Sequence, residues 1–597
     1  MIQKIDKKFE NKLIALGIIA ALSLIVYSNS FTAPFTLDDF GSISNNTSIR
    51  HPWDIPAIWK FYSNRFVLYF TFSLNYFIHQ TGVVGYHIVN LVIHILNGFF
   101  VFLIIRSILG LRFFNKKIPG KYRNIISVIC SAAFITHPVQ VNAVTYVVQR
   151  TASLAALFYM MAVFFFIKFR LHDRIRYFAL TLIFTVLAMF TKENTITIPF
   201  MLIVIELMFF LKDGKTSWKK RLLFIFILLA TIPIIPSTTL FWGGYSQSDP
   251  NVSFKASTSM DRLHYFYTQM NVIVKYIKLM FIPDDLNFDY SNDFPVSKTI
   301  WENNSYISFL ILLFIGIISL LNVKKNKLLS FGILWFFIGL SVESSFISIK
   351  DVYFEHRLYF PVAGFIIAMA GIIFSQPNLG RGRYIFKKPL LFFTVVMVFY
   401  ISMNSALTLH RNYIFGSGIR LWTDVVRKAP GSDRAHCVLA TNYMNAYKEK
   451  DPDTFQYLDI AEKEFKKAIE LYYRNDTAHC NLSKVYLLKK DYQKCIDEAN
   501  ITNGIRKSEY AYFNLGSAYE KLIEPDKALD AYLKGYRVND KATFLLKALG
   551  NLYSEKKDYK NAKFYYERFL EYNDYNDSKD IKKKLEDIDK KLNASIG

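Results

Sequence analysis

Cysteine is scarce in this chain. Its 597 residues hold four, Cys130, Cys437, Cys480 and Cys495, too few for a disulfide scaffold and without the Cys-x-x-Cys spacing of a metal site. Acidic residues are outnumbered, 48 against 72 basic ones, for a formal net charge of +24. The excess does not point to nucleic acid, because the lysines and arginines punctuate apolar runs, the pattern of loops held on the cytoplasmic side of a membrane. A small-residue cleavage site is missing after Leu13 to Ser28, although Lys4, Lys7, Lys8 and Lys12 precede that run as they would in a signal sequence. The run is read as a first membrane helix, with the N-terminus in the cytosol.

What is abundant is apolar. The sequence is 52% hydrophobic with 55 Phe and a mean hydropathy of +0.19, which predicts a polytopic membrane protein. A span needs roughly 20 apolar residues. Candidates lie near 13 to 30, 84 to 106, 124 to 138, 151 to 168, 175 to 191, 195 to 211, 221 to 241, 305 to 323, 328 to 347, 358 to 375 and 388 to 409, eleven in all. With that count each inside loop is basic: Arg112, Lys116, Lys117, Lys121 and Arg123, for example, or Lys212, Lys215, Lys219, Lys220 and Arg221, or Arg381, Arg383, Lys387 and Lys388. Phe66 to Ile78 and Leu263 to Phe281, the latter carrying Lys275 and Lys278, are left out to keep this register and are expected to lie in the outer interface.

From Arg434 the chain turns charged and repetitive. Leu515-Gly516-x-x-Tyr519 with Ala528 recurs 34 residues later as Leu549-Gly550-x-x-Tyr553 with Ala562. Leu482, Ser483, Tyr486 and Cys495 form a looser copy, and Leu439, Ala440, Tyr443, Ala461 and Ala468 another with an insertion near Asp451-Pro452. This period, with small residues where helices cross, is the tetratricopeptide signature. It predicts a stack of helix pairs with a concave face, for a ligand or as a rigid spacer. Lys582 to Leu592 is expected to be a solvated capping helix.

The same topology gathers polar residues at the outer ends of the spans: Asp38 and Asp39, His137, Arg150, Lys192 and Glu193, and Glu355, His356 and Arg357. Ionisable groups at membrane depth are costly and usually functional or paired. Carboxylates able to deprotonate a nucleophile thus share a surface with cations able to hold a phosphate. Each has a plainer reading. Asp38-Asp39 fits a helix cap, His137-Pro138 a helix terminator and Arg150 a snorkelling side chain. Lys192-Glu193 fits a helix-start pair, and Glu355-His356-Arg357 an ion pair with Asp351 or Lys350. His79, His87 and His94, beside Asn75, Asn90 and Asn97, fit interhelical hydrogen bonds better than a two-histidine metal site.

Five ordered runs carry a family resemblance: Asp38-Asp39 with Ile43 and Asn45; Gly85 to Leu91 with His94 and Asn97; His137 to Val144 leading to Gln149-Arg150; Thr191-Lys192-Glu193-Asn194; and Phe354-Glu355-His356-Arg357-Leu358-Tyr359-Phe360-Pro361. Together with the repeats, the chain resembles the transmembrane and tetratricopeptide repeat-containing glycosyltransferases, C-type enzymes related to protein O-mannosyltransferases. The resemblance implies an all-α, polytopic membrane bundle of about 11 spans with a C-terminal tetratricopeptide solenoid. It implies a donor such as polyprenyl-phosphate mannose, a hydroxyl acceptor on the outer side and inversion at the anomeric carbon. The acidic base of the first outer loop maps onto Asp38 or Asp39. Where relatives often have Arg-Pro-Leu in that loop, this chain reads Arg65-Phe66-Val67.

The expected assignment is therefore a membrane glycosyltransferase domain over 1–410 with its first outer loop at 31–83, a linker over 411–433 and a repeat domain over 434–597. Asp38 or Asp39 is the base. Arg357 leads the phosphate ligands because a guanidinium holds two oxygens at once, with His356, Arg150 and Lys192 beside it and Glu355, Glu193, His137 and Arg65 in support. No metal is required, since a sugar on a single lipid phosphate leaves without one; an aspartate-bound divalent ion is the alternative. The expected partners are the lipid-linked donor and an acceptor protein or glycan recruited by the repeats. The expected location is a bacterial cell membrane with the repeats outside the cytoplasm. The competing reading is a non-catalytic scaffold or lipid-glycan transporter.

Overall fold

A computed structural model describes residues 2–115, 118, 120–211, 217–242, 260–290, 293–349, 351–374, 383–572 and 578–594. Lys116, Lys117, Lys212, Lys215, Lys350 and Arg381, cited above, lie outside the described residues. The described residues form helices and turns with no strand. They divide into two compact units, Met1–Tyr290 with Phe294–Leu421, and Trp422–Gly597 with Ser291–Asp293.

The first unit contains α1 (Ile2–Val26), α2 (Phe66–His79), α3 (Val83–Leu109), α4 (Gly120–Thr136), α5 (Arg150–His172), α6 (Ile175–Met189), α7 (Ile198–Ile205), α8 (Trp218–Leu229), α9 (Arg262–Phe281), α10 (Ser305–Asn322), α11 (Lys327–Leu340), α12 (Pro361–Phe374) and α13 (Arg383–Phe415). Each of the eleven apolar runs is helical, but the count of eleven full spans needs correction. Six stretches among the described residues are long and apolar enough to cross a membrane: Val83–Leu109, Val147–His172, Glu193–Phe210, Trp218–Thr238, Glu302–Asn322 and Leu390–Phe415. A seventh counts if Tyr122–Thr136 and Pro138–Val144, bent by 52° at His137, are one broken span. The bend follows from Pro138, which supplies no amide and clashes with the preceding turn. Lys12–Val26, Ile175–Met189, Lys327–Leu340 and Pro361–Ile372 are shorter apolar helices. Their runs are longer than their helices because turns take up the ends: Ser341 to Ser348 unwinds after α11, and Glu355–Leu358 forms a 3-10 turn before α12. α2 and α9, excluded from the expected spans, do not qualify as spans either.

Glycine allows α11 and α12 to meet backbone to backbone. A methyl group added at Gly364 would stand 2.7 Å from the Gly332 carbonyl oxygen, and one at Gly332 or Gly371 would collide with the backbone of the facing helix. Small residues permit this close approach where no water drives helices together. The turn joining the two helices, which carries Glu355, His356 and Arg357, is thereby held. α13 returns to the start of the chain: Thr408 donates to the Thr136 carbonyl at 2.7 Å, and Asn412 donates to the Val26 carbonyl at 3.0 Å while accepting from Thr145 at 2.6 Å.

The second unit follows α14 (Gly418–Lys428) with four antiparallel pairs, α15 (Asp433–Ala446) with α16 (Gln456–Leu471), α17 (Asp476–Leu488) with α18 (Tyr492–Ile505), α19 (Glu509–Lys521) with α20 (Pro525–Val538), and α21 (Thr543–Glu555) with α22 (Tyr559–Tyr572), and then α23 (Ser578–Ala594). The signature residues are its core: Leu482, Cys495, Ala528, Leu549 and Ala562 are buried. Gly516 and Gly550 are small because a partner ring lies over each; a methyl at Gly550 would stand 2.5 Å from the ring of Tyr566, and Tyr532 covers Gly516 in the same way. α23 buries Ile581 and Ile588 against the last pair, turns Lys582, Lys583 and Lys590 outward and ties Lys584 to Asn551 at 3.1 Å, as a capping helix should.

Candidate active site

The loop after α1 separates the two aspartates. Leu37 has φ of 42°, a left-handed conformation unusual outside glycine, and it turns the next two residues in different directions. Asp39 is buried; its Oδ2 accepts from the Thr36 amide at 3.0 Å and its Oδ1 from the Val148 amide at 2.7 Å. Burial, against the pull of these amides, pushes its carboxyl up to about 8. Asp38 is exposed; its backbone amide donates to the Tyr146 hydroxyl at 3.1 Å, and its carboxylate also interacts with Tyr146. The pair that looked equivalent therefore holds one buried carboxylate, fastened to two backbone amides, and one at the surface beside Tyr146.

The cations collect between α5, α7, α11 and the turn before α12. Lys192, His356 and Arg357 line a small pocket together with Tyr159, Asn194, Thr195, Thr197 and the alanines Ala152, Ala155 and Ala156. Arg357 is held at the wall by its own turn, its two terminal nitrogens donating to the Val352 carbonyl at 3.0 Å and the Asp351 carbonyl at 2.7 Å. Both contacts are to neutral backbone, so the guanidinium charge is oriented without being cancelled by them. His356 stacks on Phe354 at 5.0 Å, and its Nδ1 is buried with no hydrogen-bond partner. Burial first, and then the charge of Lys192, hold this imidazole well below the usual histidine range, so it is neutral. Lys192 pairs with Glu343 at 2.8 Å. Burial opposes ionisation of Glu343, but Lys192 and Arg357 outweigh it and hold the carboxyl down to about 2.

Arg65 connects this pocket to the aspartate loop. It grips Glu193 through two bonds of 3.1 Å and acts electrostatically on His356. Asp38, Arg65 and Glu193 are all within electrostatic reach of the Tyr69 hydroxyl. Electrostatic influence thus runs from Asp38 and Arg65 on Tyr69 to Arg65 on His356 at the pocket.

Glu355, Arg150 and His137 are built into the walls. Glu355 is fully buried, pairs with Arg411 at 2.9 Å and accepts from the Asn287 amide, while Arg411 also donates to the Leu286 carbonyl at 2.6 Å. Arg150 is fully buried with its nitrogens on Asn90 at 2.7 Å, Tyr86 at 3.2 Å and Thr71 at 3.3 Å, tying α5 to α3 and α2. His137 accepts from the Val139 amide at 3.2 Å, capping the turn at the bend. His94 makes an interhelical hydrogen bond, its Nε2 to the Ile135 carbonyl of α4 at 3.0 Å, with Nδ1 on the Tyr359 hydroxyl at 2.7 Å; His87 instead reaches a loop, the Ala33 carbonyl at 2.8 Å. Among the described residues, no three His, Cys, Asp or Glu side chains come together as a metal site.

Glu343, Tyr69 and Arg411 were not singled out in the sequence. A signal existed for Glu343, the one carboxylate within the apolar run from 328 to 347. Arg411 had less, standing just past the end of the last run.

Comparison with known proteins places these features. The tetratricopeptide repeat family model matches residues 509–541 and 548–576. A protein O-mannosyl-transferase of Caenorhabditis elegans is 26% identical over 383 residues, 60% of this chain and 51% of that protein. Protein O-mannosyl-transferase tmtc2 of Xenopus laevis is 27% identical over 335 residues, 49% of this chain and 37% of that protein. Human TMTC2, also a protein O-mannosyl-transferase, is 25% identical over 329 residues, with the same two coverages. The crystal structure of MamA aligns with 26% of this chain and 85% of its own at 22% identity and a TM-score of 0.23. The chain spans about half the length, or less, of the curated relatives it matches. With the ordered motifs and the repeats, these alignments make the chain a relative of the transmembrane, tetratricopeptide repeat-containing protein O-mannosyl-transferases.

Proposed function

We propose that the chain is an integral-membrane, inverting hexosyltransferase. It moves mannose from a polyprenyl-phosphate sugar to a serine or threonine hydroxyl of a protein on the non-cytosolic face of a bacterial cell membrane. The observation that carries this reading is the pocket lined by Lys192, His356 and Arg357, joined through Arg65 and Tyr69 to the exposed Asp38. The basic loops, which the positive-inside rule assigns to the cytosol, put this face outside when the bent pair and the four shorter apolar helices cross the membrane along with the six long stretches, and the proposal takes them to do so.

The chemistry follows from the residue types. Asp38 takes the proton of the acceptor hydroxyl during attack; Asp39 is less suited, because both its oxygens already accept backbone amides. The acceptor oxygen bonds to the anomeric carbon from the face opposite the phosphate, and the bond from that carbon to the phosphate oxygen breaks. Its electron pair leaves with the lipid phosphate, whose added negative charge is met by Arg357 and Lys192. The unpartnered Nδ1 of His356 is available to a hydroxyl of the sugar. Arg150 and His137 hold the walls rather than the phosphate. The mechanism calls for no metal, since a single phosphate leaves as a stabilised anion, and both oxygens of Asp39 are already taken by backbone amides. The repeats bring the acceptor protein.

The reading is tested by incubating purified full-length protein with labelled polyprenyl-phosphate mannose and a serine- and threonine-rich acceptor peptide. Labelled peptide with release of polyprenyl phosphate is expected. Movement of lipid without bond cleavage would instead make the chain a transporter.

A further inference from the structure

Glu343 stands where an anion pocket gains nothing from an acid. Its Oε1 is 2.8 Å from Lys192 Nζ and its Oε2 accepts from Asn194 Nδ2 at 3.2 Å, while its backbone carbonyl accepts from the Tyr265 hydroxyl at 2.7 Å. Lys192 and Asn194 line the pocket; Glu343 stands behind them and does not. Its side chain is 10% exposed and that of Lys192 7%, so little solvent screens the pair. A pocket whose sole task was to bind phosphate would be stronger without this carboxylate.

We propose that Glu343 is a positioning residue that fixes the Lys192 ammonium at the pocket wall and limits the pocket's positive charge, so that the phosphate monoester left after transfer is not retained over the phosphodiester donor. The inference rests on the donor-phosphate reading of the pocket. The donor phosphodiester carries one negative charge. Breaking its bond to the sugar leaves the electron pair on the phosphate, and the resulting monoester approaches two. Repulsion from Glu343 scales with ligand charge, so it weighs about twice as heavily on product as on donor. Other charges near the pocket are common to the parent protein and a Glu343 variant: Arg65 is matched by Glu193, His356 is neutral, and Asp351 acts on Arg357 through both its charge and its backbone carbonyl.

The test uses full-length protein in detergent, with polyprenyl-phosphate mannose as donor and polyprenyl phosphate as product inhibitor. Glu343→Gln keeps the shape and the acceptor for Asn194 but removes the charge. It should lower the inhibition constant of polyprenyl phosphate about tenfold, with a smaller fall in donor KM and a lower kcat. Glu343→Asp, which keeps the charge, should hold the ratio of inhibition constant to KM near that of the unaltered protein. An unchanged ratio in Glu343→Gln, or an equal shift in Glu343→Asp, overturns the inference. Should Glu343→Gln fail to fold, Lys192→Gln and the double variant Lys192→Gln/Glu343→Gln replace it. Glu343 left without its cation should weaken donor binding, the double variant should recover it, and a double variant no better than the single overturns the inference. Failure of the unaltered protein to bind or cleave the donor would instead remove the underlying function, a result visible before any variant is made.

Discussion

The carboxylate of Asp39 and the backbone amide of Val148, 109 positions apart in the chain, are joined by a 2.7 Å hydrogen bond. That bond fastens the first loop to the start of α5 and leaves the neighbouring Asp38 exposed. The two aspartates should therefore fail differently. Asp38→Asn should abolish sugar transfer while the unfolding temperature stays put. Asp39→Asn sets a side-chain amide against backbone amides and should cost about 1–3 kcal/mol, read as a lower unfolding temperature in detergent. Transfer at the unaltered rate by Asp38→Asn would remove it as the base.

The buried pair of Glu355 and Arg411 ties the turn before α12 to α13. Glu355→Gln leaves a guanidinium unbalanced at 4% side-chain exposure and should destabilise the membrane unit by about 3–5 kcal/mol. Thermal unfolding of the purified variant measures this, and an unfolding temperature equal to that of the parent would contradict it.

Backbone contact between α11 and α12 leaves no room for a methyl group. Gly364→Ala should cost about 1–3 kcal/mol through overpacking and lower transfer by displacing the turn that carries His356 and Arg357. Gly17→Ala, where an added methyl meets nothing within 4 Å, is the control and should leave both readouts alone.

In the repeats, His436 sets Nδ1 at 2.6 Å from Glu464 and Nε2 at 3.1 Å from the Pro430 carbonyl; His479 does the same with Glu498 at 2.6 Å and the Tyr473 carbonyl at 2.9 Å. A carbonyl only accepts, so the nitrogen facing each carboxylate is a second donor and the charged ring is favoured. Burial opposes the charge, but the hydrogen bonds to the glutamates outweigh it and raise both histidines above their ordinary value of 6.5. A raised folded value means stability that is complete below the unfolded value and lost as pH rises through the folded one. Hydrogen exchange in α15 to α18 should thus quicken from about pH 6 to 8 beyond the intrinsic rate increase, and His436→Gln with His479→Gln should flatten that excess.

Metal dependence gives a simpler check. Chelator treatment followed by dialysis should leave transfer within about twofold of the untreated rate, as a leaving lipid phosphate met by arginine and lysine calls for no Lewis acid. Loss of activity restored by a divalent cation would bring back the aspartate-bound ion.

Much of the fold could be read before any coordinates, and the reason is local. A 34-residue repeat with glycine at one position and tyrosine farther on specifies helix pairs whose contacts lie within the repeat or with the next one, as Gly550 and Tyr566 do. The apolar runs foretold helices but overstated their length, since apolar content does not distinguish helix from the turn that ends it, as after Leu340. Lys192, His356 and Arg357 drew attention in the sequence because polar residues flanking apolar runs have few inexpensive places to be, and Arg65 did so through the family resemblance.

The sequence alone determined that the chain is helical, apolar in its first two thirds and repetitive in its last, since hydrophobic periodicity and repeat spacing act over one or two turns. Only the tertiary structure decided which aspartate is buried and which is exposed, that Arg150 is spent on Asn90, Tyr86 and Thr71, and that Glu343 stands behind Lys192. Those outcomes depend on contacts such as the one between Asn194 and Glu343, 149 positions apart. No local pattern encodes a partner at that distance, because it is chosen by the packing of whole helices and by the cost of leaving a buried charge unanswered.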